Sequence, residues 1–404
     1  MKFYITIVFL LFLFSCLNKQ ERPSRYTEEQ IASLQLDSTK ILYPKTDSTT
    51  KINLNPFLQS QSFGFGELIK EIKLVPLETN ANSLLDAIIN VLVTDSSIYV
   101  HDKFKDGGLV IFDRSGNFIK RIPNGRGPGE LNRLYDIAFD EENNELVAYQ
   151  HSFLLFFNAS GEFIRQERLP FGFYNFTITP KGYIFKSLAG QGDDHLGPFK
   201  KYTLFVTNKN FKLKSAGLPS PIDDDQLIGF RYLYNNININ ITQTCTDTIY
   251  QYNPNTNQLI EKYVLDYRQK KLPKHYFTGS WDEFKNAIEQ NDYFFFIGEF
   301  LETKSHQVFY LQNWHKNIKP VIYRNIKSRN LKGGTNADFN LTEIPPIAFP
   351  RWTSGEYFIS AYLPGKNDLF ATKSTIISEQ DKKRVQNLTE NDNPVLVFFK
   401  LKEF

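Results

Sequence analysis

Cysteine is nearly absent from this chain of 404 residues, which holds only Cys16 and Cys245. A multi-bridge disulfide scaffold and a cysteine-built zinc site are therefore excluded. Methionine occurs once, at position 1. Neither sign of charge is in excess: 47 Lys and Arg face 44 Asp and Glu, for a net +3. No broad attraction to nucleic acid follows from such a balance. Also missing are a Gly-x-Ser-x-Gly nucleophile elbow and a phosphate-loop lysine behind any glycine cluster. What the chain has in plenty is aromatic side chains, 37 Phe and 21 Tyr, beside many Asn, Thr and Ile. That mixture favours strands over helices.

The longest apolar run sits at the N-terminus, where Lys2 precedes 12 residues (3–14) broken only by Thr6. A bilayer-spanning helix needs about 20 residues, so the run reads as a secretory signal over residues 1–15. It ends in "LFSC" (13–16), a bulky residue, a small one and then cysteine, which resembles the bacterial lipobox. The resemblance implies that Cys16 becomes the lipidated first residue of the mature chain and ties it to a membrane. Residues 16–62 are polar and show little periodicity, the composition of a tether. Within them "IASLQLD" (31–37) could form a short helix.

Beyond residue 62 the chain repeats itself. "LVIFDRSGNFIKRI" (109–122) and "LLFFNASGEFIRQE" (154–167) match at apolar, apolar, Phe, Asp or Asn, x, Ser, Gly, x, Phe, Ile, with an offset of 45 residues. Each is a strand, a tight turn with glycine where positive φ is easily reached, and a second strand. "KYTLFVTNKNFKLKSA" (201–216), "TIYQYNPNTNQLIEKYVL" (248–265) and "VIYRNIKSRNL" (321–331) repeat the shape less faithfully. Another strand pair stands upstream of each hairpin, as in "INVLVTDSSIYVHD" and "NFTITPKGYIFKS". Four short strands per unit of about 45 residues is the pattern of a β-propeller blade.

Six blades can be counted, near 88–123, 134–169, 173–218, 227–266, 293–331 and 345–402. "LIKEIKLVPLE" (68–78) is one strand too many at the start, and the last blade is one strand short. The fold expected is thus all-β, a six-bladed propeller of four-stranded antiparallel blades over 63–404, its ring closed by the N-terminal strand. Closure would remove an exposed sheet edge. The lipobox, "VPLE", "GRGPGE", "TDTIYQY" and the terminal "DNPVLVFFKLK" resemble the six-bladed β-propeller lipoproteins of Bacteroidetes, distant relatives of NHL-repeat propellers. That resemblance implies a fold and a cell-envelope compartment, as an outer-membrane lipoprotein facing the periplasm or the outside. It implies no particular reaction.

"NGRGPGE" (124–130) joins the outer strand of blade 1 to the inner strand of blade 2. A phosphate cradle needs a helix N-terminus behind it, whereas "LYDIAFD" alternates like a strand, so this is a blade-to-blade crossing. Such crossings and the turns between second and third strands share one rim of the disc. That rim would carry His101, Arg126, Glu130, His151 and His195, and the longest insertions too. Function concentrates where loops lengthen over a rigid scaffold. In the first long insertion, "GSWDEF" places Trp281 on a helix with Phe284, Ala287 and Ile288 at helical spacing. Trp281 either packs that helix onto the rim or offers a ring for a ligand to stack on.

The six histidines show no metal-ligand spacing, and no cofactor is expected. Asp193-Asp194 and Asp223-Asp224-Asp225 offer the hard oxygens that Ca²⁺ takes, without the spacing of an EF-hand loop. Asp37, Asp47 and Asp247 each open an Asp-Ser or Asp-Thr step that resembles a Bacteroidetes O-glycosylation acceptor. Two functions remain. The leading one is a lipid-tethered binding module holding a peptide, glycan or protein partner on the long-loop rim. The other is a propeller enzyme, a lyase or hydrolase, with a site over the central channel.

Overall fold

The computed structural model describes residues 25–59, 61–103, 108–187, 193–220, 231–243, 246–277, 280–338, 345, 347–365 and 374–404. Cys16, Cys245 and Asp223 to Asp225 lie outside that set, so nothing structural bears on them.

Six four-stranded antiparallel sheets stand in a ring. Blade 1 runs from Ile88–Val93 to Phe118–Ile122, and blade 2 from Asp136–Asp140 to Phe163–Arg168. Blades 3, 4 and 5 begin at Asn175–Thr179, Leu233–Asn235 and Phe295–Glu302. In blade 6, Trp352–Ser354 is innermost, followed by Tyr357–Tyr362 and Val395–Leu401. Its outer strand is Ile69–Pro76, antiparallel to Val395–Leu401 from Val395 opposite Pro76 to Leu401 opposite Ile69. The N-terminal strand thus closes the ring, as the strand count anticipates.

The repeated Asp or Asn of the sequence is a turn device. In blade 1, Asp113 Oδ1 accepts from the backbone N–H of Ser115 (2.7 Å) and Asn117 (2.9 Å). Asn158, Asn208, Asn253 and Asn325 cap the same hairpin in blades 2 to 5 through their own Oδ1 atoms. A short side chain that mimics a backbone turn explains why only Asp and Asn stand there. Each turn ends on a left-handed residue, Gly116 (φ 87°) and Gly161 (φ 83°) in the first two blades. Blade 3 puts Phe211 there at φ 60°, and its ring stacks on Tyr183 at 4.6 Å.

Adjacent blades pack face to face, so their middle strands are buried on both sides. Tyr99, Leu109 and Ile111 of blade 1 share one core with Ile137, Leu146 and Phe157 of blade 2. Blades 6 and 1 meet through Trp352, Ile359, Val100 and Val110. This two-sided burial is why "LVIF" reads as a continuous apolar run rather than as an alternation.

Of the tether expected over 16–62, residues 16–24 lie outside the described residues, and the part from Arg25 onward differs from that expectation. There the segment is a strap laid along the outer edges of the blades. Helix Glu28–Ser33 carries a capping box between Thr27 and Gln30. Lys40–Leu42 then pairs in parallel with Leu213–Pro219, the outer strand of blade 3. Thr50–Asn53 does the same with Gln258–Asp266 of blade 4. Ser62–Gly64 pairs with Asn336–Asp338 just beyond blade 5, before the chain enters blade 6. Leu34, Ile52, Leu54 and Leu58 are all buried. The physical reason is that outer strands otherwise present unpaired N–H and C=O groups, which a passing extended chain can satisfy. Among the described residues no helix is long and apolar enough to cross a membrane.

Candidate functional site

The inner strands of all six blades surround one channel, and in five blades a polar residue on or just before the inner strand lines it. Asn90, Asp136, Asn175, Arg231 and Glu299 each stand four residues before the residue that opens the first hairpin turn of their blade. Together with Arg351 and Lys319 they line a channel cavity of about 550 Å³. Asp136 is the hub. Its carboxylate accepts from Asn90 Nδ2 (3.1 Å), Asn175 Nδ2 (3.4 Å) and the Phe176 N–H (3.2 Å). Burial pushes the Asp136 carboxyl above the usual carboxylate range, against the Arg231 charge. Arg231 Nη1 reaches Asn90 Oδ1 at 2.7 Å, and Asn175 Oδ1 accepts from the Tyr232 N–H. The net therefore fastens blades 1 to 4 at the channel. On the far side Lys319 meets Glu299 at 2.5 Å.

A second cavity of about 670 Å³ opens beside the channel between blades 1 and 2. The two share Ile89, Lys103 and Tyr135 in their linings, so they adjoin. His101 and Arg126 both line this cleft, which brings two of the candidate residues together. His101 lies on Ser97–Asp102, opposite Asn90 and Leu109, with only 4 % of its surface exposed. Burial pulls its imidazole down to about 4, so it is neutral near pH 7. Its Nδ1 has no partner among the described residues.

Arg126 is displayed by the glycine-rich crossing, whose shape the structure explains. Asn124 and Leu131 bridge in parallel, and the Gly125 N–H donates to Leu131 O at 3.0 Å. Glu130 turns back on its own loop, where its carboxylate accepts from the Gly127 N–H at 2.8 Å. A Cβ on Gly125 would fall 1.9 Å from Glu130 Oε2, so this position must be glycine for the clasp to close. Gly129 has φ 76° and sits against Phe163 of blade 2, where a Cβ would approach to 2.6 Å. The loop is thus a stiff crossing seated on blade 2.

The other expected site residues are placed elsewhere. Glu130 braces the loop and lines neither cavity. His151 is exposed at φ 44°, its ring edge-on to Tyr135 at 5.8 Å, one residue removed from the cleft. His195 contacts Pro170 O and stands edge-on to Tyr26 of the strap at 5.2 Å, away from the channel. Trp281 stacks on Phe284 of its own helix, Trp281–Gln290, in a cluster with Phe295 and Trp314. It packs the insertion onto the rim. Asp193 pairs with Arg25 and accepts from the Gly172 N–H, while Asp194 pairs with Lys200. No group of three His, Cys, Asp or Glu among the described residues could hold a metal ion.

The polar ring is the part that reading the hairpins leaves out. A signal for it exists in the sequence, since the five residues recur at one offset from the turn. Their convergence needs the ring itself, because they are 39 to 68 residues apart in the chain.

Fold and hollow define the class: a six-bladed β-propeller with a polar channel mouth enlarged into a side cleft between blades 1 and 2. The chain belongs to the family described as Domain of unknown function (DUF4934), whose pattern matches residues 49–400. That span begins inside the strap. No curated protein matches the chain. A Bacteroides fragilis protein described as exported shares the fold, with TM-score 0.66 at 14% identity, over 88% of this chain and 100% of its own. A Bacteroides caccae protein of unknown function is aligned over 68% of this chain and 81% of its own, at 11% identity and TM-score 0.31.

Proposed function

We propose that this propeller is an extracytoplasmic binding module, anchored by lipid at Cys16, that takes its ligand at the channel mouth and the adjoining cleft. The adjacency of the two cavities carries the reading. The channel cavity gathers side chains from six blades, and the cleft that shares its wall is lined by Arg126 on a braced loop. Cavities of about 300–1,000 Å³ suit a small ligand or a short piece of a chain, such as a glycan or peptide. A whole protein partner would dock on a broader and flatter area. The likeness to an exported Bacteroides protein supports an envelope location together with the signal-like N-terminus. The enzyme alternative would rest on Asp136, whose raised carboxyl could serve as an acid. Both its oxygens already accept hydrogen bonds inside the blade-fastening net, which favours binding.

The test has two arms. Wild-type protein and the Arg126→Ala and Tyr135→Ala variants are screened against glycan and peptide arrays. Loss of roughly tenfold in affinity in both variants, with unchanged melting, supports the site. A ligand whose binding ignores both changes and also Arg351→Ala removes it. In cells, Cys16→Ala should lose lipid labelling and leave the membrane fraction. Retention of that variant would remove the anchor.

A further inference from the structure

Resting on the reading that the ligand sits at this mouth, we propose that the cleft between blades 1 and 2 recognises an acidic saccharide, a sugar bearing a carboxylate. Charge is the first observation. Of the eleven described residues that line the cleft, Lys103, Arg126 and Arg133 are cationic and none is Asp or Glu. This is local, because the chain as a whole is close to neutral and the channel next door mixes both signs. Guanidinium groups meet a carboxylate as a fork, with direction as well as charge. Arg126 is exposed on the clasped loop, and Arg133 is held at φ 62° with its guanidinium 5.5 Å from the Tyr135 ring centre. Both cations are therefore presented by backbone that has little freedom to lose.

The rest of the lining is neutral and suits hydroxyl groups. His101 is 96 % buried on the exposure it retains, and its Nδ1 finds no partner among the described residues. A neutral imidazole offers one donor and one acceptor, which is the complement of a hydroxyl. The carboxamide of Asn132 can do the same. Tyr135 supplies an aromatic ring shared by cleft and channel, a surface on which the C–H face of a pyranose can lie. Simple inorganic anions would use the cations and leave the imidazole, amide and ring without a purpose. A protein surface would not enter a hollow of about 670 Å³.

Digalacturonate, its methyl ester and neutral cellobiose are the probes, titrated calorimetrically into the full folded chain. The acid should bind with saturation, and the ester, which keeps the sugar and loses the charge, about tenfold or more weakly. Arg126→Ala and Arg133→Ala should each weaken the acid about tenfold and leave the ester unchanged. Equal binding of acid and ester overturns the acid preference. If that binding falls with Tyr135→Ala, the mouth still stands as the site. Acid binding that survives all three substitutions overturns this inference, and if it also survives Arg351→Ala, the mouth falls with it. No saturable binding of the acid up to about 10 mM overturns the inference alone, since weaker contacts carry no specificity.

Discussion

Leu34 offers a direct test of the strap. It follows helix Glu28–Ser33 in a stretch whose polar composition reads as a tether, yet none of its surface is exposed. It belongs to the core shared by blades 2 and 3, with Phe205, Leu213 and Ala216, and its carbonyl accepts from the Leu213 N–H at 2.9 Å. Leu34→Ala removes three carbons from a closed site, and such changes cost about 2–5 kcal/mol. At roughly 2.1 cal/mol/K per residue, a chain of this length has an unfolding entropy near 0.8 kcal/mol/K, so ~3 kcal/mol lowers Tm by about 4 °C. Leu54→Ala should behave alike, because Leu54 is fully buried and its N–H donates to Asp266 O at 2.7 Å. Tyr43, 76 % exposed between the two strap strands, is the control and should shift stability by less than about 0.5 kcal/mol. Differential scanning calorimetry of the three variants decides the matter. If all three melt with the wild type, the segment is a tether in solution and the parallel pairings are not part of the stable fold.

Two further outcomes follow from the site. His101 keeps its proton only below about 4, whereas an exposed histidine binds one near 6.5, so the unfolded chain is protonated first on acidification. Its contribution is whole above pH 6.5 and drains away as pH falls toward 4, by about 3 kcal/mol in all, and His101→Gln should flatten the urea-derived stability slope across that window. An unchanged slope would mean that the imidazole is not desolvated. On the crossing, Gly129→Ala should lower stability by about 1–3 kcal/mol through its left-handed backbone and the Phe163 contact, and Glu130→Ala by about 1 kcal/mol, both read by melting. Wild-type melting in both would show that the loop is not seated on blade 2.

The sequence by itself determined the propeller. Its hairpins recur because each blade needs the same kind of turn, and an Asp or Asn side chain with a left-handed residue three or four positions on is local chemistry, readable without any neighbour. Blade count and closure by 68–78 followed from strand arithmetic, since an unpaired edge is costly wherever it falls. The strap escaped the sequence for a physical reason. Its strands are three or four residues long, "KIL" and "TKIN", too short to show a period, and their partners lie more than 170 residues away. The site divides along the same line. His101 and Arg126 could be assigned to one rim from strand direction alone. Which of the rim residues face a common hollow was decided only by tertiary structure: Glu130 folded onto Gly127, Trp281 onto Phe284, and His195 against the strap. Asn90, Asp136, Asn175, Arg231 and Glu299 meet because a closed ring turns every inner strand toward one axis, and that curvature is a property of the packed blades rather than of any one of them.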